Sequence, residues 1–259
     1  MFTEIKKISS LLLSVAFSSI GFIASITVTV LAAREVSSNP LFVGFPNAVG
    51  VGGAVLGTRM IYLISKNSSQ LNALAFTFLI GAFGGAIMFY SLIVDSFVLL
   101  LFGAFILGIG QSATLQTRYA ASFVASEKFK ATALSLAVWF SVFGSVFGPR
   151  MVGGYSNFFD NIFNSELIVG YVIALVGMLF AASSLFIFTS KKSILRSPSN
   201  LESESNNQNS NKKNGNLLSL LLVLNHFTMV VIMSATPLHI QDIGETVQLV
   251  GIIISYHTL

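Results

Sequence analysis

The sequence predicts an all-α membrane protein, a polytopic helical bundle, on three observations. Hydrophobic residues make up 54% of the 259 residues and charged residues only 9%, with a mean hydropathy of +0.81. A soluble domain carries roughly 25% charged residues to cover its surface, so the solvent for most of this chain is lipid. The apolar residues also fall in long runs, and a run of about 20 crosses a hydrocarbon core of about 30 Å as a helix. Finally, the charged residues gather between these runs rather than within them. The net charge of +4 is spread along the chain, which fits membrane orientation and not a nucleic-acid patch. There is no cysteine, so disulfides, thiol catalysis and cysteine metal sites are excluded.

Seven apolar runs reach spanning length, at 8–33, 41–65, 71–93, 97–119, 131–153, 166–189 and 217–238. The first follows MFTEIKK and is too long for the apolar core of a signal peptide, so it reads as a retained span. The connections 34–40, 66–70 and 94–96 are short, which makes consecutive spans antiparallel neighbours. The long polar stretch 191–216, rich in Ser, Asn and charge, reads as a solvated linker. Three parts follow: a six-helix bundle over 1–190, a linker over 191–216, and over 217–259 the start of a second bundle. An eighth apolar run begins near Val247. Its 13 residues to Leu259 rise about 20 Å as a helix, short of a bilayer core, and the expectation is a natural gene that continues past Leu259.

Orientation follows from the basic residues. With the N-terminus inside, twelve of the fourteen Lys and Arg fall on the cytoplasmic side, and only Arg34 and Arg150 fall toward the other. The acidic residues avoid the middle of every span.

Six spans, a polar linker and further spans is the layout of the major facilitator superfamily, in which two six-helix halves rock around a midplane cavity. The stretch GSVFGPRMVGGY in span five makes the resemblance specific. Gly144, Gly148, Pro149, Gly153 and Gly154 resemble the fifth-helix glycine–proline motif of drug:proton antiporters, with one extra residue before the glycine pair and Ser135 at an upstream glycine position. The resemblance implies an efflux-like secondary transporter with no cofactor, a small-molecule substrate, the lipid bilayer around it, and a coupling ion. Other signatures depart from the family pattern. In GTRMIYLISK the cytoplasmic loop between spans two and three keeps Gly57 and Lys66 but lacks the acidic residue and the other bases. In span four Ala104 occupies the position of an arginine implicated in proton coupling, which puts that coupling in doubt. Arg118 opens a segment similar to the family's cytoplasmic loop between spans four and five.

The glycine–proline stretch also has a reading of its own. Gly144 and Gly148 share a helix face and admit a close neighbour. Pro149 removes one backbone donor, so the helix can bend there, with Ser141 and Ser145 near enough to satisfy the freed carbonyl. Either an outer closing bend or an ordinary packing kink fits. Arg150 can reach the interface, or an acid such as Asp160 or Glu166.

Polar stripes nominate cavity faces: Ser14, Ser18, Gly21 and Ser25 in span one; Asn47 and Gly50 in span two; Gln111, Thr114 and Arg118 in span four; Asn225, Thr236 and His239 in span seven. Ser18, Ser25, Asn47, Gln111, Thr114, Asn225 and Thr236 are the candidate cavity residues, and small-residue packing explains the stripes of spans one and two equally well. His226 is the candidate coupling residue. The three histidines have no acidic or cysteine neighbours at ligand spacing, so no metal site is expected.

The expected function is alternating-access transport of a small hydrophobic or amphipathic solute across the cell's inner membrane, with a helical permease subunit of another transporter family or a non-transporting membrane fragment as the alternatives. A permease of another family would want long cytoplasmic helices and no divider after span six. A seven-helix receptor would need its N-terminus outside. An intramembrane hydrolase would need a nucleophile with a base, or paired carboxylates, within the spans, and none is present.

Overall fold

A computed structural model describes residues 2–37, 39–188 and 212–257. The chain forms α1 (Phe2–Val36), α2 (Phe45–Asn67), α3 (Gln70–Ile93), α4 (Phe97–Val124), α5 (Lys130–Phe163), α6 (Ile168–Phe188), α7 (Lys212–Asp242) and α8 (Val247–His257). Short 3₁₀ turns at Pro40–Phe42 and Glu127–Phe129 lead into α2 and α5. Among the described residues, six helices are long and apolar enough to cross a membrane, α1 to α6. Helix boundaries follow local chemistry. The Ser69 side chain caps α3 by accepting from the Asn72 N–H at 3.2 Å, and Ser96 caps α4 through Leu99 at 3.4 Å. Asn164, at φ 54°, ends α5 in the left-handed conformation that asparagine tolerates.

Two expected boundaries move. Span five runs on to Phe163, so the connection to α6 is only 164–167, and Asp160 rides on the helix end. Of the linker 191–216, residues up to 211 lie outside the described residues, and from Lys212 the chain is already helical.

The strongest pairings run α2–α4–α3–α6–α1–α5, with α1 also crossing α4 at the centre. The six helices alternate in direction, so one end of the bundle carries the N-terminus, the α2–α3 and α4–α5 connections and the start of α7. Glu4 ties this end together, accepting from Lys7 at 2.7 Å and from the Ser126 N–H at 3.1 Å. The opposite end carries Arg34, the α1–α2, α3–α4 and α5–α6 connections and the α7–α8 turn.

Glycines set how closely these helices cross, because lipid offers no hydrophobic drive and packing must come from backbone proximity. A Cβ on Gly108 would land on the Gly50 carbonyl of α2, and one on Gly110 would lie 2.5 Å from Gly81 Cα of α3. A Cβ on Gly177 of α6 would lie 3.0 Å from Gly21 Cα of α1. Burial is uneven. Only 22% of the most apolar stretch of α2 and of α5 is buried, against half or more in α1, α3, α4 and α6. These two helices end the chain of pairings and flank its open side.

Candidate functional site

Between the helices lies a cavity of ≈ 510 Å³, walled by α1, α2, α4 and α5 of the bundle with Met88 of α3, and by α7 from beyond residue 211. Ala104 and Arg118, both on α4, line it. They are fourteen residues apart, so the cavity is a slot about 21 Å long at 1.5 Å per residue. Its middle is apolar, with Phe22, Ile26, Met88 and Leu107 among the walls.

The sequence candidates divide on this geometry. Ser25, Asn47, Gln111 and Thr114 line the slot. Asn47 donates its side-chain N–H to Ser234 Oγ of α7 at 3.1 Å, which closes the slot near the Arg34 end. Ser18 does not line it. The face of α1 that bears Ser14, Ser18 and Gly21 packs on α6, with Ser14 Oγ donating to the Ala181 carbonyl at 3.0 Å and Gly21 against Ala174. That stripe is small because two backbones meet there. Thr236 also lies off the slot and donates into its own helix, to Ile232 at 2.9 Å, while Asn225 is exposed. The backbone of His226 is helical, but its side chain lies outside the described residues, as do residues 258 and 259.

The residues assigned to cytoplasmic loops are displaced as well. Arg118, placed by its sequence both at the start of that loop and on the polar stripe of span four, lies within α4, six residues before Val124, and lines the slot with Gln111 and Thr114. Gly57 lies within α2, buried where a side chain would strike Ser112 and Ile109 of α4. Lys66 is in the last turn of α2, with its ammonium 4.7 Å from the Tyr62 ring centroid.

The glycine–proline stretch is a packing site with two faces. Gly144 and Gly148 bear on α1: a Cβ on Gly144 would strike Ser19, and one on Gly148 would lie 2.8 Å from the Ile20 carbonyl oxygen and 3.0 Å from the Ala24 nitrogen. Pro149 and Gly153 bear on α8, where Gly251 meets the Pro149 carbonyl and Gly153 meets Gln248. Gly154 faces open space. Helix α5 continues through Pro149 to Phe163. The hydroxyls of Ser141 and Ser145 donate to the Val138 and Val142 carbonyls at 2.6 and 3.0 Å. Arg150 reaches no acid among the described residues. Its guanidinium lies 5.6 Å from the Tyr256 ring centroid on α8.

Sequence reasoning missed Ser19, Thr29, Ser141, Ser145 and Ser234, all of which line the slot. On α1 the slot face runs Ser19, Phe22, Ile23, Ile26, Thr29, at helical spacing but mostly apolar, and a lipid-facing stripe reads the same way. What sets the slot apart is unmet hydrogen bonding. Most hydroxyls in the spans donate to a carbonyl of their own helix, as Thr27, Thr77 and Thr117 do at 2.7–2.9 Å. Five buried side-chain polar atoms among the described residues have no partner, and three of them, Ser19 Oγ, Thr114 Oγ1 and Arg118 Nε, belong to the slot. Leaving such groups unmet is costly in a native protein, which makes the slot the candidate binding site. Among the described residues no group of side chains could hold a metal ion.

These features define a class, a multi-pass helical membrane protein whose spans enclose a solute-sized slot with polar atoms left open. Comparison with known proteins narrows it. The chain is 27% identical over 255 residues to YdeG and 28% identical over 263 residues to YddS, both uncharacterised MFS-type transporters of Bacillus subtilis strain 168. The matches cover 95% and 97% of this chain but 59% and 60% of those proteins, so the chain spans about three-fifths of the length of the curated relatives it matches. No family model matches the chain, and no solved structure matches it. Over nearly the whole of its length, and with six helices long and apolar enough to cross a membrane, the chain is similar to MFS-type transporters.

Proposed function

We propose that this chain forms the solute-binding walls of a secondary active transporter, which moves a small amphipathic solute across the cell membrane by alternating access. The observation that carries the reading is the slot itself, because its walls come from both sides of the polar stretch after α6. Such a cavity exists only while two parts of the chain stay together, and it can change its exposure when they rock.

Among the described residues, side-chain contacts between α7 or α8 and the bundle lie toward one end. Arg34 of α1 pairs with Asp242 at 2.6 Å and reaches Gln241 at 3.4 Å, Asn47 meets Ser234, Arg150 meets Tyr256, and Gly153 meets Gln248. With the N-terminus in the cytoplasm, as the basic residues favour, this is the outer end. The arrangement is then a state closed to the outside. The Gly148–Pro149 stretch serves it as the outer closing contact between α1, α5 and α8. If a proton drives transport, His226 is the coupling candidate, since no carboxylate lines the slot among the described residues.

The test is uptake of amphipathic solutes into proteoliposomes, with and without a pH gradient, by the wild type and by Ile26→Trp. Ile26 lines the slot, so an inserted, monodisperse Ile26→Trp protein should lose flux. Wild-type flux through it would remove the slot from the transport path.

A further inference from the structure

We infer that the solute of this slot is an elongated amphipathic monoanion, whose carboxylate docks on Arg118 with Thr114 one turn away and whose apolar body lies along the slot. The inference rests on the transport reading above and narrows its substrate class.

The charge of the site argues first. The guanidinium of Arg118 stays protonated at any physiological pH, and among the described residues it is the one charged side chain that lines the slot. The ion pairs among the described residues are Lys7–Glu4, Arg34–Asp242 and Lys130–Glu127, and none of them involves Arg118. Its Nε is buried without a partner. Two other basic side chains are differently placed: Lys66 and Arg150 are exposed and sit over aromatic rings. A cationic solute would meet a like charge in this slot and no counter-ion among the described residues.

Geometry argues second. Thr114 precedes Arg118 by one helical turn, so the two side chains share a face of α4. Thr114 is only 4% exposed and its hydroxyl has no partner, whereas Thr117, three residues on, donates to its own helix. A guanidinium presents parallel N–H donors that match the two oxygens of a carboxylate, and a hydroxyl nearby can donate to the same group. Beyond these groups apolar walls such as Leu107, Met88 and Phe22 make up most of the slot, with the neutral polar groups of Thr29, Asn47 and Ser234 at its far end. A charge at one end and an apolar passage beyond it describe the solute.

Binding to the full chain in lipid nanodiscs, by calorimetry against empty nanodiscs, tests this with three probes of one shape: 4-phenylbutyrate, its primary amide and 4-phenylbutylamine. The carboxylate should bind at least about tenfold more tightly than either analogue, a modest figure for a charge-assisted bond. Arg118→Gln should bring the carboxylate down to the level of the amide while amide binding persists, which shows that the variant is folded. Arg118→Lys should recover part of the preference. A carboxylate preference that survives Arg118→Gln, or an amine that binds as well as the carboxylate, would overturn the assignment. Equal binding of all three probes would overturn it too, and would leave the slot as a binding site. Absence of saturable binding by any probe would also overturn it, and wild-type flux through Ile26→Trp would separately remove the transport reading.

Discussion

Replacing Gly148 by alanine should separate α1 from α5. A Cβ there would lie 2.8 Å from the Ile20 carbonyl oxygen and 3.0 Å from the Ala24 nitrogen, where ordinary contact begins at 3.4 Å. Both obstacles are backbone atoms inside a helix, so neither can rotate away, and the helices must part by about 0.6 Å or bend to the same effect. Overpacking of this kind costs about 1–3 kcal/mol. Alanine also favours a helix over glycine by roughly 0.5–1 kcal/mol, which partly offsets the clash. Gly154 isolates the clash, because it lies six residues on in the same helix and has nothing within 4 Å of its added methyl. Gly154→Ala should therefore be neutral or slightly stabilising, and the difference between the two variants should equal the overpacking term, about 1–3 kcal/mol. Equilibrium unfolding in mixed micelles, with membrane insertion checked separately, measures that difference. If Gly148→Ala is as stable as Gly154→Ala within about 0.5 kcal/mol, the scatter of neutral surface changes, then α1 and α5 do not meet as described.

The remaining expectations are independent of that one. Single cysteines in this cysteine-free chain test orientation: Asn161→Cys should react with an impermeant maleimide on intact cells, and Ser68→Cys only after permeabilisation, with the reverse pattern inverting the topology. Arg34 and Asp242 are each about half exposed, so Arg34→Ala should cost less than about 1 kcal/mol of stability. It should nonetheless raise the outside labelling of Thr29→Cys, and unchanged labelling would mean that the ion pair is no latch. Burial first, and the Asp160 charge second, raise the Glu166 carboxyl above its ordinary range. A raised acid stabilises the fold below its unfolded pKa, and that contribution is lost as pH climbs through the folded value. Glu166→Gln should accordingly be the more stable protein near neutral pH and should lose most of that advantage in acid, whereas parallel melting curves at all pH values would reject the reading. Finally, Gly148→Leu should impair flux while leaving insertion intact, and wild-type flux would reduce the motif to ordinary packing.

The spans were legible in the sequence because crossing lipid is a constraint along the chain. Twenty apolar residues must follow one another, and charges must gather where the chain re-enters water. For the same reason composition and spacing placed α1 to α6 and the glycine–proline stretch as a close-packed segment of α5. Helix ends were less legible, since α5 keeps its hydrogen bonds well past its apolar run, to Phe163. Which face of each helix meets which neighbour was decided only in the tertiary structure. Ser18 and Ser19 adjoin in sequence, yet the first lies on the face packed against α6 and the second lines the slot. A small hydroxyl suits both settings, so spacing could not separate them. Arg118 read both as the last residue of the span-four polar stripe and as the start of a loop, because charge usually marks the end of a span. Helix α4 continues to Val124, and its crossings with α1 and α2 place that charge beside an apolar slot. The physical reason is that lipid exposure depends on a residue's own chemistry, whereas a binding cavity depends on where several helices fail to touch.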